Sequence, residues 1–234
     1  MIKKNIVITG GQGRFAQILK ASNVNLNINF PSKKQLNILR VSSIRNYIKK
    51  TRPEYLIHCA ALSRPMNIHD KLISKSIDTN IIGTSNIVKI CSEFNIKLIY
   101  FSTGYVYEGK KGNYKESDPV PPINNYAWSK LGGECAVRMY KNSLILRIIM
   151  CEKPFMHKNA FGDIKTNFMY HEDVVKIIPK ILKEKGIINI GGKIQSVYDF
   201  ARKKNPSIKK ISGRKIFPLN PSMNTLKLKK IMKW

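Results

Sequence analysis

Short apolar runs alternate along the chain with longer stretches in which apolar residues return every three or four positions. Asn5-Ile-Val-Ile-Thr9 is short and β-branched and predicts a buried first strand. Gly10 to Gly13 predict a turn, and Arg14 to Ala21 the start of a helix. Residues 24–30 alternate polar and apolar, which predicts a second strand. Ser42 or Ser43 can cap a helix that runs to about Lys50, where Arg52-Pro53 stops it. Residues 55–58 predict a third strand. Residues 79–94 predict a long helix with Ile81, Ile82, Ile87, Val88 and Cys91 inward. A fourth strand follows at 97–101, a helix at 126–140 and a fifth strand at 143–148. Past Met150 the pattern loosens: a helix at 172–182, a short strand at 187–190, a helix at 196–203 and a basic tail from Ser207.

Strands that alternate with helices predict an α/β, Rossmann-type, doubly wound parallel sheet. Ligands of such sheets bind beyond the carboxyl ends of the strands. Gly10, Ala60-Ala61 and Ser102-Thr103 all fall at such ends. Residues 1–150 read as the dinucleotide-binding domain. Residues 151–234 read as a small, trimmed substrate lobe intertwined with it in one unit.

The 234 residues are 43% hydrophobic, enough for a substantial core, and contain no apolar run long enough to span a bilayer. Met1 to Ile8 is too short and too strand-like for a signal peptide, so a soluble, cytoplasmic protein is expected. Cys59, Cys91, Cys135 and Cys151 form no Cys-x-x-Cys pair and read as free thiols. The four histidines show no metal-ligand spacing, and no metal is assigned. The formal charge is +28, from 42 basic and 14 acidic residues. The lysines are spread along the whole length, which favours a solvated basic surface over a nucleic-acid face. Such a surface attracts anionic ligands.

Tyr126-Ala-Trp-Ser-Lys130 puts a phenol and an ammonium at i and i+4 on one helix face. The positive charge is expected to lower the tyrosine's pKa and let it exchange a proton with a carbonyl or alcohol. Gly11-x-Gly13-x-x-Ala16 fits the dinucleotide fingerprint, as does Gly10-x-x-Gly13-x-x-Ala16 in a second register. The acidic residue that holds the adenosine ribose in NAD enzymes is absent; the first carboxylate in the chain is Glu54. Ser32-Lys33-Lys34 and Arg14 stand there instead, which favours NADPH over NADH.

These residues resemble the extended short-chain dehydrogenase/reductase superfamily, and within it the dTDP-4-dehydrorhamnose reductases and related nucleotide-sugar reductases. The likeness runs through Gly10 to Ala16, Ser32 to Ile38, Cys59-Ala60-Ala61, Asn80 to Thr84, Ser102 to Gly109, Pro122 to Lys130, and Pro218 to Lys227. Departures are Ala16 for the last glycine, Asn37 where aspartate is common, Gly104 where the reductases have aspartate, and a short segment between Met150 and Thr166.

The resemblance implies reduction of a nucleotide-linked 4-keto-6-deoxy sugar. Tyr126 would be the proton donor, Lys130 the nicotinamide-ribose ligand, and Thr103, with Ser102, would hold the reacting oxygen. It implies cofactor contacts at Gly10, Gly11, Gln12, Gly13, Arg14 and Phe15. Others fall at Ser32, Lys33, Asn37, Ile38, Cys59, Ala60, Ala61 and Asn80. Arg64, Gly104, Tyr105 and Arg147 would face the substrate, although Arg147 serves equally well as a structural ion-pair residue. A homodimer is implied as well. An epimerase or 4,6-dehydratase on the same scaffold, and a non-catalytic regulatory subunit, remain as rival readings.

Overall fold

In a computed structural model, residues 4–214 and 217–234 are described. The first three residues of the N-terminal stretch weighed above as a leader lie outside them. Six parallel strands form the central sheet: β1 (Asn5–Thr9), β2 (Asn27–Asn29), β3 (Tyr55–His58), β4 (Lys97–Thr103), β5 (Ser143–Ile148) and β6 (Gly186–Ile190). Their spatial order is β6-β5-β4-β3-β1-β2. The chain leaves β1 to one side for β2 and returns on the other for β3. The switch point of the winding therefore lies between the ends of β1 and β3. β6 comes from beyond residue 150, so the later part of the chain completes the sheet.

Both faces of the sheet are covered, which is why β4 is buried at all seven positions. One face packs Ile6, Ile8, Ile57, Ile99 and Leu146 against helices Arg14–Ala21, His171–Ile181 and Leu226–Met232. The other packs Val7, Leu56, Leu98 and Ile145 against helices Val41–Thr51 and Gly83–Glu93. Beyond the carboxyl ends of the strands sits a small lobe with its own aromatic core of Phe155, Tyr170 and Phe200. Among the described residues, no helix is long and apolar enough to cross a membrane.

Three expectations change. The second strand shrinks to Asn27–Asn29, because only these residues pair with β1 and the residues before it pack without a ladder. The helix predicted at 79–94 begins with a wide π-type turn at Ile77–Ile82 before its regular part. That turn rotates Ile82 into solvent, 47% exposed, and Ile90 replaces it in the core. Fourteen residues, Asn125–Arg138, form the helix carrying Tyr126 and Lys130, and the Asn124 side chain caps it by accepting from the Ala127 N–H at 2.8 Å.

Candidate active site

The crevice at the switch point is floored by glycine and by a buried polar chain. Gly10 has φ +72, and a Cβ there would meet Ala60 Cα at 2.9 Å, so only glycine lets the β1 turn lie against the β3 exit. A Cβ on Gly11 would meet the Phe30 and Pro31 backbone at 2.8 Å. Beneath the turn, Thr9 Oγ1 bonds His58 Nδ1 at 2.6 Å, and His58 Nε2 bonds Thr84 Oγ1 at 3.0 Å. Thr84 in turn donates to the Asn80 carbonyl at 2.8 Å. Burial, helped by the charge of Lys130, pushes the His58 pKa down to about 3, so this histidine is neutral.

The helix after the turn starts with free donors. Gly13 is its N-cap, with no capping side chain and no acidic residue in the first turn. The Arg14, Phe15 and Ala16 amides find no acceptor among the described residues. Such an end favours a diphosphate. Gln12 and Arg14 are exposed beside it, whereas the Phe15 ring turns into the core, 4.9 Å from Phe101. At the edge past β2, Lys33 is exposed and Ser32 half-buried, with no carboxylate beside them in sequence. These features fit a phosphorylated dinucleotide.

Thr103, Tyr126 and Lys130 converge on this crevice. Thr103 ends β4, and its Oγ1 accepts the Tyr105 N–H at 3.2 Å, leaving its own proton to donate. The Tyr126 phenol is half-buried beside Thr103, Tyr105 and Arg64. Burial raises its pKa to about 12, against the opposing pull of the nearby Thr103 hydroxyl and of Arg64. The expected acidification by Lys130 is therefore overturned: desolvation governs the phenol, and the opposing charge comes from Arg64 instead of Lys130. The ammonium of Lys130 stands over the Tyr100 ring, 4.3 Å from its centroid, and burial pushes its pKa down to about 7 against the pull of Cys59 and Glu134. Cys59 and Ala60 lie between Lys130 and Gly10.

Other expected residues hold the site without facing it. The Asn80 side chain spends its groups on Leu62 and on Ser129 Oγ, so it pins the loop after β3. Asn37 closes its own turn, its Oδ1 accepting the Leu39 N–H at 3.0 Å, and Ile38 is buried against Gly83. Ser102 donates to Glu134 Oε2 at 2.9 Å, beneath the crevice. Arg147, 1% exposed, pairs with Glu134 and donates to the Tyr107 hydroxyl at 2.8 Å. Arg147 is thus the structural ion-pair residue, not a substrate ligand. Gly104 faces inward too: a Cβ there would meet Ile149 at 2.6 Å and Met223 at 2.8 Å, which leaves no space for the aspartate of the reductases. Arg64 and Tyr105 remain at the cleft beside Tyr126, and Ala61 is half-buried in the loop after β3.

Two carboxylates escaped the sequence reading. Glu134 lies one turn beyond Lys130 on the same helix, a spacing that could have flagged it. Glu152 lies just past β5 and bonds both Arg14 and Arg64, at 2.9 and 3.0 Å. Only its place past a strand's carboxyl end hinted at it.

The geometry has parallels among known proteins. A solved dTDP-4-dehydrorhamnose reductase from Bacillus anthracis, in complex with NADP, superposes with TM-score 0.87 at 23% identity, covering 98% of this chain and 92% of that one. The methionine adenosyltransferase 2 subunit beta of Xenopus laevis is 32% identical over 114 residues, 48% of this chain and 34% of that protein. A dTDP-4-keto-6-deoxy-D-glucose reductase of Streptomyces niveus is 30% identical over 134 residues, 56% of this chain and 46% of that protein. The chain thus matches less than half the length of these two curated relatives. The RmlD substrate binding domain matches residues 4–161, about two thirds of the chain, and the chain belongs to that family.

Proposed function

We propose that this protein reduces the C4 ketone of a nucleotide-linked 4-keto-6-deoxy sugar, with NADPH as the reductant. NADPH, when bound, supplies the hydride. Tyr126 gives its proton to the oxygen of the reduced carbon, and with a pKa of about 12 the phenol is fully protonated at neutral pH and ready to donate. Thr103 donates a hydrogen bond to the same oxygen and holds it for the transfer. Lys130 binds the ribose beside the nicotinamide, and the free amides of Arg14, Phe15 and Ala16 take the diphosphate. Arg64 and Tyr105 face the sugar nucleotide. The observation that carries this reading is the meeting of Thr103, Tyr126 and Lys130 at the glycine-lined switch point. Oxidation of added NADPH by dTDP-, UDP- or GDP-linked 4-keto-6-deoxy sugars tests it. An enzyme that converts such sugars without net NADPH consumption would instead be an epimerase or dehydratase.

The relatives named as methionine adenosyltransferase subunits favour a second reading, a binding subunit without turnover. A stable hetero-complex, with no NADPH oxidation on any keto-sugar, would select it. The exposed Ile73, Ile77 and Trp128 on neighbouring helix faces support a homodimer in either case, and sedimentation would measure it.

A further inference from the structure

Three strand ends contribute one ion bridge across the crevice. Arg14 comes from the helix start after β1, Arg64 from the loop after β3, and Glu152 from the segment after β5. Both guanidiniums bond the same oxygen, Glu152 Oε1, at 2.9 and 3.0 Å, and Arg64 also bonds Oε2 at 3.0 Å. Two like charges are thus held a single oxygen apart. Their common partner is the only carboxylate that pairs with either among the described residues. The bridge borders the proposed site. Arg14 is next to the free amides of its helix, and Arg64 acts on the Tyr126 phenol. Tyr105 and His171 also border it, and Glu172 is near His171.

Guanidinium binds carboxylate and phosphate through the same planar donor fork. A carboxylate shared by two arginines therefore takes the place that one phosphate oxygen of a diphosphate would take. Sharing that place is disfavoured, because two anions at hydrogen-bond distance from one cation repel each other and compete for the same donors. We infer that Glu152 is an internal stand-in for a diphosphate, and an affinity-setting residue for the ligand that displaces it from Arg14 and Arg64. Without a bound diphosphate it keeps the two guanidiniums together. With ligand, the arginines turn to the phosphates and Glu152 yields them. The inference requires only a diphosphate; its source, the dinucleotide or the sugar nucleotide, rests on the proposed reduction.

The test is the binding of inorganic pyrophosphate, NADP+ and dTDP to wild type and to Glu152→Gln, by calorimetry at fixed ionic strength. Glu93→Gln is the charge control: it removes the same charge from a surface pair with Arg45, on a different helix. Loss of a part-exposed competing pair predicts pyrophosphate binding tighter in Glu152→Gln by about two- to fivefold. Glu93→Gln should match wild type, and Arg14→Ala in the Glu152→Gln background should remove the gain. A parallel gain with NADP+ assigns the site to the dinucleotide, and a gain with dTDP instead assigns it to the sugar nucleotide. Pyrophosphate binding that is unchanged or weaker in Glu152→Gln, or equally improved in Glu93→Gln, overturns the inference. A pyrophosphate gain in a protein that oxidises no NADPH would leave the inference standing and sink the proposed reduction.

Discussion

Tyr100 grips Lys130 twice. Its ring lies 4.3 Å under the ammonium, and its hydroxyl donates to the Lys130 carbonyl at 3.0 Å. The ring offers a charge some attraction without a counter-ion, and too little to offset burial. Lys130 is left titrating near pH 7 instead of near 10.5.

That placement sets a pH dependence. Above about pH 7 the ammonium loses its proton and with it the hold on the ribose, whereas Tyr126 stays protonated throughout. The kcat/KM for keto-sugar reduction is expected to fall as pH rises through about 7. Lys130→Met should be slow and flat over the same range. A wild-type profile level from pH 6 to 9 would contradict this assignment of the charge.

Tyr126→Phe removes the donated proton and leaves the glycine turn intact. Turnover should drop by about 10²–10⁴-fold, the usual contribution of a proton-transfer residue. NADP+ affinity, read by fluorescence or calorimetry, should stay within about twofold, since the proposed dinucleotide contacts at the Arg14–Ala16 amides and Lys130 are kept. Full reductase activity in this variant would remove Tyr126 from the mechanism.

The Arg147–Glu134 pair lies fully buried beside β4, closed by Ser102 and Tyr107. Breaking one side leaves a buried charge alone. Glu134→Gln is expected to cost about 3–5 kcal/mol in urea unfolding, and Glu134→Leu with Arg147→Met clearly less. Equal losses in the single and double variants would show that packing, not charge, dominates there.

His58 makes the fold acid-sensitive. Its pKa is about 3 in the folded protein and about 6.5 in an unfolded chain, so between these values the unfolded state binds the extra proton. Stability is complete above pH 6.5 and falls as pH drops, by about 1.4 kcal/mol per pH unit from this residue alone. His69 and His171, also shifted down by burial, act in the same direction. Glu152 adds its loss lower, as pH falls from 4.5 through about 2. Urea titrations from pH 7 to 4 on wild type and His58→Asn would measure the slope; an unchanged slope in the variant would exclude His58 as its source.

The local pattern was enough to place β3, β5 and the glycine turn, because a run such as Tyr55–His58 opens with three bulky, mostly apolar residues and is bounded by Pro53 and the crevice residues. It was also enough to put Tyr126 and Lys130 on one helix face, since i and i+4 are neighbours on any helix. It failed where a residue's neighbour comes from far along the chain. Nothing around Arg147 distinguishes a phosphate ligand from a buried ion pair until Glu134 and Tyr107 are brought beside it. The same holds for Glu152, whose partners are 138 and 88 residues away. Spacing along one element decides which side chains share a face. Burial and charge pairing depend on which elements pack together, and folding alone raised the Tyr126 phenol that its own lysine was expected to lower.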